Sequence, residues 1–291
     1  MSALKVGVFA DCTDQSMPLL DLARAVEDRG FTGLFLNEHT HVPVDAPRSA
    51  YPRGGATPEH YARFWDPYIA LSFVAATTGL EIGPCVSLVG EHDAIALAKA
   101  IATLDVLSGG RLTVGVGWGW LREEFEDHGY PAKERVAVVT EKVALMKALW
   151  TEEVASYDGD YVHLSPSMSW PKPVQRPHPP ILIGAPASER NFQRIAAWAD
   201  GWIPMGTPDL ATFDRTLAEL HGHWEEAGRD PADCRITISL ITVELDGLAA
   251  AAERAAELGV ERVLLRVRDP LGEEVLAQLD QAAKEFARVL E

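Results

Sequence analysis

The sequence predicts an α/β protein, a (β/α)8 TIM barrel with insertions after the second strand and before the fifth. Three observations carry this prediction. Eight short runs rich in Val, Ile and Leu are each followed by a helical pattern. Strict alternation of strand and helix specifies a parallel sheet. Eight units also exceed the roughly five or six strands usual in an open doubly wound sheet, which favours closure. The 291 residues, 47% of them hydrophobic, suit one domain spanning residues 1–291, since barrels of this class commonly run to about 250 residues or more.

The first run, Leu4 to Ala10, leads into a helix near Met17 to Arg29. Gly30 stops it, because glycine tolerates the left-handed conformation that ends helices. The second run is Gly33 to Asn37, the third Leu80 to Val89 and the fourth Arg111 to Val116, with helical patterns over Asp66 to Thr77 and Asp93 to Leu107. The fifth to eighth are Pro180 to Gly184, Gly201 to Pro204, Arg235 to Val243 and Glu261 to Val267. A last helix runs from about Leu271 to Leu290. Two stretches break the repeat. Thr40 to Phe64 is polar and carries Pro43, Pro47, Pro52, Gly54, Gly55 and Pro58. Thr151 to Pro179 holds a turn signal in Asp158-Gly159-Asp160 and five prolines from Pro166 onward. Long loops in a compact domain are more often functional lids than filler.

With 26 Lys and Arg against 43 Asp and Glu, the net charge is −17. That charge repels phosphate backbones and anionic lipid, so neither nucleic acid nor membrane is an expected partner. No apolar run reaches the roughly 18 residues of a membrane span. Met1 to Ala10 lacks a signal-peptide pattern, so a cytoplasmic location is expected. Cys12, Cys85 and Cys234 are scattered, without CxxC spacing, and fit a reducing compartment rather than a disulfide framework or zinc knuckle.

In such barrels the chemistry sits at the C-terminal ends of the strands. The second strand ends in Asn37-Glu38-His39-Thr40-His41. A carboxylate with two histidines serves acid–base work or metal ligation, since neutral imidazole does both near neutral pH. The alternative is that His39 and His41 merely bond loop backbone. The HxH form also raises a metal-dependent hydrolase as a remote reading. Metal sites need roughly three or more ligands, and the later strand ends offer no further His, so no metal is expected. The fourth strand runs into Gly115-Val116-Gly117-Trp118-Gly119-Trp120. Alternate glycines either let backbone approach a flat ligand or a phosphate, or simply form a tight barrel turn. The spacing is not the GxGxxG dinucleotide fingerprint. Trp118 and Trp120 would line a pocket at the barrel mouth. The fifth strand ends in Gly184-Ala185-Pro186-Ala187-Ser188 before a helix near Glu189. A Ser at a helix N-terminus is either part of a phosphate site or an ordinary N-cap.

A longer pattern joins these pieces. It comprises Ala98-Lys99 to Leu104-Asp105, Leu107 to Leu112, the Gly115 to Gly119 turn, Glu123-Glu124-Phe125, Gly129, Arg135, Glu141 and Leu149-Trp150, then Ile183-Gly184-Ala185 and Ala199 to Trp202. In order and spacing, over nearly the whole chain, it resembles the signature of the bacterial-luciferase-like monooxygenase superfamily. The short length and Trp65-Asp66-Pro67 look most like the branch that uses coenzyme F-420, an 8-hydroxy-5-deazaflavin; the FMN-using branch shares the barrel. The resemblance implies an oxidoreductase moving a hydride between coenzyme F-420 and a small organic substrate. The alternative is an FMN-dependent monooxygenase. Relatives of this kind are commonly homodimers.

The resemblance also implies site residues. Glu38 and His39 would close the second strand, Glu replacing a more usual Asp, with His39 the proton donor or acceptor. His41 and Trp120 would border the substrate. A non-proline cis peptide at Cys85-Val86 would support the ring, Gly117, Trp118 and Gly119 would follow the cofactor's polar tail, and Gly184, Ala185 and Ser188 would hold its phosphate. Relatives that oxidise sugar phosphates carry a carboxylate where this chain has Trp120 and a Trp where it has Pro43. That departure weighs against a sugar phosphate and towards a bulkier, apolar substrate.

Overall fold

The computed structural model describes residues 4–46, 49–52, 54–267 and 272–290. Met1, Pro47 and Leu271, named above, lie outside them. The apolar runs form strands β1 (Lys5–Ala10), β2 (Gly33–Leu36), β3 (Glu81–Pro84) and β4 (Val114–Gly117). A hairpin follows, β5 (Ala155–Asp158) with β6 (His163–Ser167), then β7 (Ile181–Ala185), β8 (Gly201–Pro204), β9 (Arg235–Leu240) and β10 (Arg262–Val267). The helices are α1 (Leu19–Asp28), α2 (Pro67–Thr77), α3 (Ala94–Ser108), α4 (Arg122–Asp127) and α5 (Arg135–Thr151), then α6 (Glu189–Trp198), α7 (Phe213–Glu226), α8 (Leu248–Glu257) and α9 (Gly272–Leu290).

Eight of the described strands pair in parallel in the order β3-β2-β1-β10-β9-β8-β7-β4. Parallel bridges between Ile82 and Leu112 and between Ser87 and Val116 join the two ends of that sheet. The result is the (β/α)8 barrel. Local chemistry starts the helices where the strands release the chain. Asp66 caps α2 by accepting from the Ile69 N–H at 2.8 Å, with Pro67 in the first helical turn. Asp93 caps α3 in the same way. Gly30 adopts φ 81° just past α1, as a helix stop requires.

Strand alternation divides the apolar residues into two layers. Leu34, Leu36, Val263 and Leu265 face outward and pack beneath the helices in the main core. Phe9, Phe35, Cys85, Leu182, Ile203 and Leu264 form a separate cluster inside the barrel. The same alternation turns Arg262 and Arg266 of β10 inward, where their guanidinium groups lie over Phe35 and Phe9 at 4.9 and 4.0 Å from the ring centroids. Arg262 pairs with Glu81 at the N-terminal end, and Arg266 with Asp11 at the C-terminal end.

Two strands end three or more residues earlier than the sequence pattern predicts. The third run ends its ladder at Pro84, not Val89. The Cys85–Val86 peptide is cis, and Glu38 accepts from the Ser87 hydroxyl and the Leu88 N–H, which pulls that segment out of line. The seventh ends at Leu240, not Val243, because the Ile241 and Thr242 N–H groups donate to the Thr207 hydroxyl. The two insertions also differ from each other. The described residues between 40 and 64 fold over the C-terminal ends of the strands, with a 3-10 turn at Glu59–Arg63. The second insertion forms the antiparallel β5–β6 hairpin, whose turn docks on α5 through Glu141, acceptor of the Tyr161 N–H at 2.8 Å. Its proline-rich end is fastened by buried Asp105, which accepts from the Val174 and Gln175 N–H groups and the Gln175 amide. That insertion does not line the central cavity, so it is a strap on the helix layer and not a lid.

Candidate active site

A cavity of about 330 Å³ opens at the C-terminal ends of the strands, at the small end of the roughly 300–1,000 Å³ typical of ligand pockets. Phe9, Cys85, Val86 and Ile203 give it apolar walls. The first insertion supplies Tyr51 and Tyr61, which meet Trp120 in edge-on ring contacts, and Phe64, which lies at a tilt against Tyr61. Asn37, Ser239 and Arg266 bring polar groups to it.

Arg266 is held in place. Its Nη2 donates to the Asp11 carboxylate, at 2.6 Å to Oδ2, and Asn37 donates to Asp11 as well. Burial raises the proton affinity of the Asp11 carboxyl, but His60 at 3.7 Å and Arg266 outweigh it and hold the group below its ordinary value. The Arg266 Nε is buried without a hydrogen-bond partner among the described residues. Such an unmet donor beside a cavity is what a ligand acceptor satisfies.

His39 faces this cavity from the end of β2. Its Nδ1 lies 2.6 Å from Glu124 Oε2, and its Nε2 accepts from the Trp120 indole N–H at 3.2 Å. Because the indole N–H can only donate, these partners select the tautomer with its proton on Nδ1, and the Nε2 lone pair is held by Trp120, itself a residue of the cavity wall. Both side chains are almost fully buried, at 6% and 1% exposure. Glu124 also accepts from the Thr40 N–H at 2.8 Å. A buried carboxylate behind an imidazole orients the ring and stabilises its protonated form.

Glu38 is buried too, but it braces the wall. It accepts from Ser87 Oγ at 2.9 Å, from the Leu88 N–H and from His92 Nε2 at 2.7 Å. Burial lowers the His92 proton affinity, yet the Glu38 hydrogen bond and charge exceed it, and the net shift is upward. Cys85 presents a neutral thiol, since burial pushes it up to about 12.

The structure gathers Glu38, His39, Cys85, Val86, Trp120 and Gly184 around the cavity. Gly117, Trp118, Gly119, Ala185, Ser188 and His41 do not line it. Trp118 packs against Trp198 of α6, ring centroids 6.3 Å apart, at the edge of the main core. His41 turns outward to Thr40 and Asp127. His39 and His41 therefore diverge, and among the described residues no cluster of His, Cys, Asp and Glu is arranged to hold a metal ion. The Ser188 hydroxyl caps α6, accepting from the Asn191 N–H at 3.3 Å. The alternate glycines have a packing explanation: a Cβ on Gly117 or Gly184 would lie 2.4 or 2.6 Å from a Val86 methyl.

Sequence reasoning singled out neither Glu124 as the partner of His39 nor the Asp11–Arg266 pair. Both left a trace. Arg266 interrupts an apolar strand at the inward register, and Asp11 directly follows β1.

The model of the luciferase-like monooxygenase family matches residues 10–288. The chain belongs to this family. Its members are oxidoreductases and monooxygenases. An uncharacterized protein from Mycobacterium tuberculosis is 39% identical over 285 residues, covering 97% of this chain and 98% of that protein. An FMNH(2)-dependent dimethylsulfone monooxygenase of Pseudomonas putida is 34% identical over 167 residues, 55% of this chain and 46% of its own length. Among solved structures, an F420-dependent secondary alcohol dehydrogenase bound to an F420–acetone adduct superposes with a TM-score of 0.79 at 16% identity, covering 99% of both chains. At that identity the likeness shows the fold.

Proposed function

We propose that this luciferase-like protein is a coenzyme F-420-dependent oxidoreductase that transfers a hydride to or from a small, largely apolar organic substrate. The observation that carries the reading is His39, oriented by Glu124, with Nε2 facing an apolar-walled cavity that retains an unmet Arg266 donor. These residues fit a flat heteroaromatic ring. Arg266 and Asn37 match its carbonyl edge, Val86 and Cys85 support one face, and the aromatic insertion shields the cavity from water. The bound deazaflavin supplies two-electron hydride chemistry. Once a substrate hydroxyl displaces the Trp120 N–H from His39 Nε2, that nitrogen takes the hydroxyl proton during oxidation or returns it during reduction, and Glu124 stabilises the imidazolium. Gly117 to Gly119 would follow the cofactor's tail, and Ser188 with Gly184 and Ala185 would meet its phosphate at the start of α6.

The second reading is an FMN-dependent monooxygenase, favoured by the dimethylsulfone monooxygenase relative. Parallel titration with coenzyme F-420 and FMN, followed by Trp fluorescence, separates the two. Tight binding of coenzyme F-420 alone supports the first, and tight binding of FMN with oxygen consumption by the reduced protein supports the second. His39→Ala should lower turnover and leave cofactor affinity nearly unchanged; equal loss of both overturns its role as proton partner. A homodimer is also proposed, because α2 leaves Ile69 and Phe73 exposed at 64% and 58% and α3 leaves Leu107 exposed at 71%.

A further inference from the structure

The hydrogen bonds behind His39 continue to the protein surface. We propose that His39 exchanges its Nδ1 proton with solvent through the barrel wall, along Glu124 and Thr40 to His128 and His41, and not only through the cavity mouth. The proposal rests on the reading of His39 as the proton partner. From Glu124, 2.6 Å from His39 Nδ1, the second carboxylate oxygen lies 3.3 Å from the Thr40 hydroxyl. That hydroxyl lies 2.9 Å from His128 Nε2 and 2.9 Å from His41 Nδ1. Exposure rises along the path: His39 and Glu124 are nearly sealed, whereas His128 and His41 are 27% and 41% exposed. Thr40, His41, Glu124 and His128 do not line the cavity, so the outlet is separate from the mouth.

Each group suits its place. A carboxylate that takes a proton on one oxygen becomes a neutral carboxyl, which turns to release that same proton towards Thr40. A hydroxyl both donates and accepts, which the Thr40 position requires. The flanking imidazole nitrogens can each accept or release a proton, although burial holds the His128 proton affinity below its ordinary value. Glu91 stands beside the path, its Oε2 3.4 Å from the same hydroxyl. Burial, with the charges of Glu124 and Glu38, pushes the Glu91 carboxyl up to about 9, and the Thr40 hydroxyl donates to its Oε2. His92, paired with Glu38, and the Lys142 ammonium, which donates to the Gly90 carbonyl, complete the charged surroundings.

While a ligand fills the cavity, a proton placed on Nε2 makes an imidazolium. Its Nδ1 proton then passes to Glu124 and, through Thr40, to the outer histidines and water. No other bond forms or breaks. When the cavity reopens, the Nε2 proton passes to water as the relay returns one to Nδ1.

The test uses the full-length protein with ¹⁵N-labelled histidine and follows solvent exchange of the His39 Nδ1 proton by NMR, with and without coenzyme F-420. Thr40→Val should slow exchange by about tenfold or more, most visibly with coenzyme F-420 bound, and Thr40→Ser should restore it. Unchanged exchange in Thr40→Val, or slowing that Ser does not restore, overturns the relay. Should the valine variant fail to fold, the paired His41→Phe and His128→Phe substitutions must produce the slowing, and their failure to do so overturns it equally. The measurement on the free protein needs neither cofactor nor turnover, so its outcome is independent of the cofactor titration.

Discussion

Val86 explains two of the glycines, and that explanation can be tested by a rescue experiment. A Cβ on Gly117 would meet Val86 Cγ2 at 2.4 Å, where ordinary contact is 3.4–4 Å. A methyl must therefore move by about 1 Å in a packed wall, and overpacking of this kind costs about 1–3 kcal/mol. Val86→Ala alone removes two methyl groups, at roughly 1–3 kcal/mol including the space left behind. With both changes, the nearest atom to the new methyl is the residue 86 Cβ at 3.4 Å, and the clash is gone. Gly117→Ala should therefore cost about 1–2 kcal/mol less in the Val86→Ala background than in the native one. Gly115→Ala is the control, because its Cβ would meet the Pro84 carbonyl oxygen at 2.6 Å and trimming Val86 leaves that contact in place. The assay is urea unfolding of the four proteins of each cycle at one pH. Equal costs of Gly117→Ala in both backgrounds, or equal rescue of Gly115→Ala, would refute the argument. Since Val86 lines the cavity, Gly117→Ala in the native background should also weaken cofactor binding.

Asp11→Asn leaves the buried Arg266 guanidinium without its countercharge and should destabilise the protein by roughly 3–5 kcal/mol, whereas the Asp11→Asn, Arg266→Met pair should cost less than the sum of the single changes; thermal unfolding reads both. Glu261 is depressed to about 2: burial opposes this, but Arg235, at 2.6 Å, and Arg262 exceed it. A depressed carboxyl stabilises the fold fully above its unfolded value near 4.5 and loses that contribution as pH falls towards 2, on the order of 3 kcal/mol at most. Glu261→Gln should therefore flatten the loss of stability between pH 4.5 and 2 in urea titrations; parallel curves for the two proteins would contradict the pairing. Trp120→Phe should remove most of the fluorescence change on cofactor binding, and Trp118→Phe should leave it, because Trp120 lines the cavity and Trp118 does not.

The barrel was legible because its strands are buried on both sides and its helices are marked by caps. Asp66, Asp93 and Ser188 each start a helix within a residue or two of the expected place. His39 was legible as a strand-end residue, whereas Cys85 and Val86 were read inside the third run and entered only through the family resemblance, which implied the cis bond found there. The long-range partners were not legible. Glu124 lies 85 residues from His39 and Arg266 lies 255 from Asp11, and no local periodicity records which inward side chains meet across a closed barrel. The glycine turn reads two ways, since open backbone for a ligand and room for a neighbouring Val leave the same mark in a sequence. The choice between a deazaflavin and FMN is hidden for a related reason. The two rings share their shape and carbonyl edge, so apolar walls with Arg and Asn donors treat them alike.

Strand alternation also accounts for the division of labour in Asn37-Glu38-His39-Thr40-His41. Phe35 points into the barrel and Leu36 out of it, and the period of two continues past the end of β2. Asn37 and His39 thus reach the interior, one bonding Asp11 and the other Glu124. Glu38, between them, turns to the neighbouring β3 segment and braces Ser87 and Leu88, which carry the wall containing Val86. An insertion or deletion of one residue here would exchange these roles, presenting the bracing carboxylate to the cavity and withdrawing the imidazole. The site is thus specified by register as much as by residue type. Swapping the two neighbours, Glu38→His together with His39→Glu, keeps composition and net charge. It should abolish turnover as completely as His39→Ala while also loosening the wall, read as a larger fall in unfolding temperature than His39→Ala alone produces.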